Sequence, residues 1–275
     1  MPILITKLKF KFISTSLISL TLLLFTINHL LFTASAETSL ERAQSDYTFQ
    51  YTKYRDAQER YQVAKSQFET FKTAVAKGEA ATKTKEYLAQ IDNVYIAYLL
   101  LTKEHGNFID WGREEPQKAG IFQLLESEIV FFQDHTKQIE ATQTLEELII
   151  LAENTKDHIE NVLLPKINKT LATYEVVETV SAYDKFVELA DKIDVLVNDR
   201  IAKEPNPFLA NWTSEIKDIK EKATVPLNLA KDQLSQVRTE IASQGDLETI
   251  SFQAKKSKEE LKKSQALFEE ALRIL

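Results

Sequence analysis

The apolar residues of the stretch 39–78 recur on a seven-residue beat. Leu40, Tyr47, Tyr54, Tyr61, Phe68 and Val75 form one row, and three positions after each come Ala43, Gln50, Ala57, Ala64, Phe71 and Gly78. This is an a/d heptad with large residues in one row and mostly small ones in the other, the mark of a helix that lays a narrow seam against a partner. It predicts a helix from about Ser39 to Lys77, stopped at Gly78 and about 58 Å long. The far end of the chain carries a similar pattern. Ile250, Ala254, Ser257, Leu261, Ser264, Phe268, Ala271 and Leu275 follow alternating steps of four and three. Rows of big side chains opposite rows of small ones let helices approach closely. The segments 39–78 and 246–275 are therefore expected to pair as an antiparallel coiled coil.

Between them the pattern is more uniformly apolar. Val94 to Leu101, Ile129 to Phe132 and Leu148 to Ala152 are continuous apolar runs, too short to span a bilayer and consistent with helices buried on several sides. Glycine and proline punctuate the pattern where helix ends belong. A second helix is predicted from about Thr82 to Glu104, a loop over Asn107 to Gly120, and a third helix over Ile121 to Glu140. A fourth begins near Thr144, where Glu147 completes a capping box, and meets Pro165, which should kink or break it. Helical pattern resumes to about Lys203, with the β-branched run Val176 to Val180 as a potential interruption. Pro205-Asn206-Pro207 ends that section. Pro226 fits the first turn of a helix reaching about Ser243, and Gly245 precedes the last helix, Asp246 to Leu275. No segment alternates with period two for long enough to make a sheet. The fold class is all-α: an elongated multi-helix bundle of about six to eight helices.

Composition supports long helices, since 275 residues contain only 5 glycines and 6 prolines. There is no cysteine, which removes disulfides, thiolate metal sites, a cysteine nucleophile and a lipoprotein anchor. Residues 1–36 have the build of a secretory signal peptide: Lys7, Lys9 and Lys11, the apolar block Leu17 to Ile27, and Ala34-Ser35-Ala36 before Glu37. The alternative is an uncleaved signal anchor, because no charge interrupts the stretch from Lys11 to Glu37. Against it, Asn28 and His29 would lie at membrane depth. In either case residues after 37 are expected outside the cytoplasm. Cleavage removes the three lysines and no acid, taking the net charge from −7 to −10. Such a surface repels nucleic acid and anionic lipid, so no nucleic-acid partner is expected and membrane contact only through residues 1–36. The cluster Lys255, Lys256, Lys258, Lys262 and Lys263 is interleaved with Glu259, Glu260, Glu269 and Glu270 and reads as a solvated helix face.

Candidate chemistry is sparse. His105, His135 and His158 each follow an acid (Glu104, Asp134, Asp157), but neighbouring helical residues point about 100° apart and do not make a ligand pair. None has the spacing of a zinc or di-iron motif. The acid pairs Glu114-Glu115, Glu126 with Glu128, Glu146-Glu147 and Glu269-Glu270 read as solvated faces. Glycine-rich phosphate loops, nucleophile elbows and calcium loops are missing. No catalytic, cofactor or metal residue is expected, and an enzyme is not. Asn168-Lys169-Thr170 and Asn211-Trp212-Thr213 match the glycosylation pattern by chance, the first inside a helix. Trp111 and Trp212 fall in expected breaks, either as partner contacts or as caps over the bundle ends. Tyr87, Tyr95 and Tyr98 either line a pocket or, at helical spacing, form core. The leading expectation is an exported non-enzymatic protein acting through protein contacts: an envelope scaffold, adaptor or self-associating rod. The alternatives are a small-ligand-binding or sensory bundle and a secreted helical effector.

Overall fold

The tyrosine row of the first helix is buried against the helix that follows it. In the computed structural model, which describes residues 38–275, α1 (Ser39–Phe71) and α2 (Ala74–Phe108) form an antiparallel hairpin. Tyr47 meets Tyr98 at 5.7 Å between ring centroids, Tyr54 meets Tyr87 at 5.6 Å, and Tyr61 stacks on Tyr87 at 5.0 Å and 8°. Tyr47, Tyr54, Ala57 and Ala64 are buried, so the heptad seam is real. Its partner differs from the expected one. The 39–78 segment is taken up by α2 rather than by 246–275, because a short turn lets the nearest apolar helix reach it first. The turn comes earlier than Gly78: Lys72 adopts φ 53°, Thr73 caps α2 by accepting from the Ala76 amide, and Gly78 lies within α2. The expected signal peptide, residues 1–36, lies outside the described residues.

The remaining elements are α3 (Glu115–Ala141), α4 (Leu145–His158), a π turn (Ile159–Leu163), α5 (Leu164–Lys203), α6 (Pro207–Gln236), α7 (Gln244–Lys262) and α8 (Ser264–Ile274). The described residues form an all-α bundle. Pro116 begins α3 in its first turn, Thr144 and Glu147 make the expected capping box of α4, and Asn206 caps α6 through the Phe208 and Leu209 amides. The loop expected over 107–120 is shorter, since α2 runs on through Gly106 to Phe108. Gly106 is helical because Tyr174 occupies the space where a side chain would be. Pro226 lies inside α6 rather than at its start, and the run Val176 to Val180 is unbroken helix whose Val176, Val177 and Val180 are core.

Pro165 neither kinks nor ends its helix at that point; a π turn precedes it, with the Leu164 amide bonded to the Ile159 carbonyl. Residue spacing accounts for this. Thr155, Ile159, Leu163 and Ile167 are all buried and four apart. Three successive steps of four cover twelve residues, whereas three α-helical turns cover about 11. The surplus residue is absorbed by one wide turn, and the buried row stays on one side.

α5, 40 residues and about 60 Å long, joins two cores. Its N-terminal half meets the end of α2, where Ile109, Trp111, Tyr174 and Val177 cluster, and through Ala172, Val176 and Val180 it also packs on Leu227 of α6 and Ile250 of α7. Its C-terminal half makes a three-helix core with α6 and α7–α8: Phe186, Ile193, Val197, Leu209, Trp212, Ile216, Leu261, Phe268 and Ala271. The predicted seam of the last segment is buried from Ile250 to Ala271, in two helices parted at Lys263. Its partners are α5 and α6. Ser257 donates to the Ala223 carbonyl, which requires the small residue the pattern supplied.

Candidate functional site

The polar chemistry of the described chain gathers on α3, at two carboxylate–histidine pairs one above the other. Glu128 and His135 are seven residues apart and share the helix face of Leu125 and Phe132. His135 Nδ1 lies 2.8 and 2.9 Å from the two oxygens of Asp92 on α2, and its Nε2 is 2.7 Å from Thr155 Oγ1 on α4. Thr136 donates to Asp92 Oδ2 at 2.8 Å. The Thr155 hydroxyl also sits 2.8 Å from the Leu151 carbonyl. It can donate there and accept from a protonated ring, or donate to a neutral one. Burial pushes the Asp92 carboxyl up, opposed by its bonds to His135 and Thr136.

Two turns back along α3, Glu128 accepts from two groups on either side of the π turn. His158 Nε2 is 2.7 Å from Oε2, and Lys166 Nζ is 2.5 Å from Oε1. Burial would raise this carboxyl, but the His158 and Lys166 bonds together hold it below its ordinary range. Phe131 lies between the two sites, stacked on His158 at 3.6 Å and parallel to His135 at 6.3 Å. A third pair sits where α2 meets α5 and α7. His105 Nε2 is 3.3 Å from Glu178, which also binds Lys258 at 2.8 Å. Partial burial opposes ionisation there, yet His105 and Lys258 bring the Glu178 carboxyl down to about 2.

Asp92, His135 and Thr155 are ordered as in a carboxylate–imidazole–hydroxyl relay that activates a nucleophile. The surroundings do not suit that chemistry. The three residues are 0%, 4% and 3% exposed, so a substrate carbonyl would have to unpack α4 to reach the hydroxyl. Thr155 is in mid-helix, where backbone amides are committed to helix bonds and offer no oxyanion donors. Among the described residues, no three histidine, aspartate or glutamate side chains converge to hold a metal ion.

All three histidines among the described residues thus pair with carboxylates, and in each case the acid comes from another helix rather than from the preceding residue. Sequence reading missed Asp92, Thr155, Lys166 and Glu178, and it placed Lys258 on a solvated face, where it instead pairs with Glu175 and Glu178. Glu128 is a correction: expected on a solvated face with Glu126, it is 3% exposed. A signal was present, since Asp92 follows Ile91 in an apolar stretch and Glu128 lies in the row of Leu125, Phe132 and Ile139. Both tryptophans are buried, Trp111 at 2% and Trp212 at 1%, the latter within α6 rather than in a break. Their ring nitrogens donate to the Gly106 and Leu267 carbonyls. Tyr87, Tyr95 and Tyr98 are core. No protein-family model, curated protein or solved structure matches the chain.

Proposed function

We propose that this chain is an exported, non-enzymatic helical protein that acts by holding other proteins, as a scaffold, adaptor or self-associating rod of the cell envelope. The observation that carries this reading is the apolar outer surface of the α5–α8 core. Leu189 and Leu196, seven residues apart on α5, are 40% and 52% exposed; Val195 is 69% exposed, and Leu272 on the adjoining α8 is 56% exposed. Aliphatic side chains left exposed on a helix surface among charges are what a contact surface offers. The export half of the proposal rests on residues 1–36, with cleavage before Glu37. Fractionation with sequencing of the mature N-terminus tests it, Glu37 being the expected first residue. A photo-crosslinking residue at Val195, with one at exposed Lys222 on α6 as control, tests the contact half. Crosslinked species specific to position 195 are expected; a bare monomer at both positions would overturn it.

A small-ligand reading has one observation in its favour. A cavity of about 280 Å³ opens between the end of α6 and the start of α7, lined by Gln233, Arg238, Ile241, Asp246, Thr249 and Ile250 among others. The Gln233 Oε1 is buried there without a hydrogen-bond partner among the described residues. The cavity is just below the usual range of ligand sites, roughly 300–1,000 Å³. A thermal-shift screen of small polar metabolites separates the readings, because a ligand of the native state raises the melting temperature.

A further inference from the structure

α4 has the fewest buried residues of the α-helices, and polar contacts supplement a short apolar face of Leu148 with half-buried Leu145, Leu151 and Ala152. Of its 14 residues only Leu148 and Thr155 are buried. Ile149 and Ile150 point outward at 42% and 57% exposure. It touches the bundle through Lys77–Glu146 at 2.6 Å near its start, Thr155–His135 at 2.7 Å, and His158–Glu128 at 2.7 Å at its end. Beneath it lie the groups it covers: His135 with Asp92 behind it, and the Phe131 ring against which His158 is stacked.

Both ends of α4 are built to bend. Only Thr142 and Gln143 separate α3 from the Thr144 cap, and the other end is the π turn, whose wide hydrogen-bond rings are less favourable than α-helical ones. The π turn is itself seated in the core through Ile159 and Leu163, and Ile167 continues that anchor beyond it, so the bend falls between α4 and these residues. The Glu128 carboxylate grips one residue on each side of that turn, His158 before it and Lys166 after it. We infer that α4 is a strap hinged at the Ile159–Leu163 π turn and latched by Glu128, and that it opens as a unit while the rest of the bundle stays folded. Opening uncovers the Phe131–His135 face of α3 and releases the Ile149-Ile150 pair to turn toward a partner. Leu148 is the one fully buried aliphatic residue that opposes it, helped by half-buried Leu145, Leu151 and Ala152; the remaining restraints are polar contacts that water can replace once α4 lifts. This inference is independent of where the protein acts.

Hydrogen-exchange mass spectrometry on the full chain at neutral pH tests it. Amides of 145–158 should exchange about tenfold or more faster than those in the middle of α2 and α6, in the unaltered protein. Glu128→Gln removes the charge at nearly constant shape and should accelerate 145–158 by a further factor of about ten, leaving 207–262 unchanged. Equal protection of α4 and α2 in the unaltered protein would overturn the inference, as would a uniform acceleration of every helix in the variant. If Glu128→Gln fails to fold, Lys77→Glu at the exposed Lys77–Glu146 pair gives the second reading. It should speed exchange in 145–158 only, and no change there would count against the strap.

Discussion

At the scale of single residues, buried polar groups here fix which helices meet. Asp92, Glu128 and Glu178 each tie histidine or lysine from other helices, and a charge left without its partner in such a place is expensive. Their pH responses differ in sign. Glu178, lowered to about 2, contributes stability that is present above its ordinary value of 4.5 and lost as pH falls through 2. Asp92, raised by burial, works the other way and is relieved by acid. Glu178→Gln should therefore flatten the loss of stability between pH 4.5 and 2 seen by urea denaturation. With its side chain about a third exposed, the difference at pH 7 should be on the order of 1 kcal/mol after solvent screening. Gly106 gives a steric prediction. A methyl there would collide with Tyr174 Oη and lie 2.7 Å from Phe122 Cε1. Gly106→Ala should cost about 1–3 kcal/mol by overpacking. The Tyr174 hydroxyl is buried without a partner among the described residues, so Tyr174→Phe should be neutral or stabilising and should recover part of that cost. Thermal denaturation of the two single variants and the double checks this. None of these pairings could be read from the sequence, because the partners are 43, 30 and 73 residues apart: Asp92 with His135, Glu128 with His158, and His105 with Glu178.

At the scale of elements, what the chain states plainly is periodicity, and periodicity fixed the faces better than the ends. The row 250–271 is buried as spacing predicts, the first row only between Tyr47 and Ala64, with Phe71 and Val75 exposed at its end, and the capping box at Thr144 is where its residues call for it. Partners were not legible, since a heptad says that a seam is buried but not against what. Packing overrode local preference at Gly106 and Pro226, whereas Gly78 lies exposed in the second turn of a helix that had already started at the Thr73 cap. The π turn was legible in principle. The buried row Thr155, Ile159, Leu163, Ile167 cannot stay on one side of an α-helix, so the spacing, not Pro165, demands the wide turn. Pro165→Ala should then keep the π turn and shift stability by less than about 1 kcal/mol. Deleting exposed Asn161 should close it to an α turn, rotate α4 by about 100° against α5, and cost more than about 3 kcal/mol through loss of both histidine contacts. Thermal melts of the two variants distinguish the explanations: a large loss in Pro165→Ala with little effect of the deletion would assign the turn to proline.

At the scale of the whole chain, α5 belongs to two cores at once. Its first half is packed with the end of α2 and, on another side, with the end of α6 and with α7; its second half is packed with α6 and α8, and no interruption separates them. A helix that continuous transmits order: fraying one half removes the partner surface of the other, so the cores should unfold together despite having few residues in common. The two tryptophans stand one in each core, Trp111 against Tyr174 and Trp212 against Phe268, each buried and each fixed by its ring nitrogen. They are natural reporters. In Trp111→Phe only the α5–α8 core is read by fluorescence, and in Trp212→Phe only the α2–α5 junction. If α5 couples the cores, each variant will show the same denaturant midpoint by its single tryptophan as by far-ultraviolet circular dichroism. If the fluorescence midpoint separates from the dichroism midpoint in either one, the long helix is a tether between two independently stable bundles rather than their common spine.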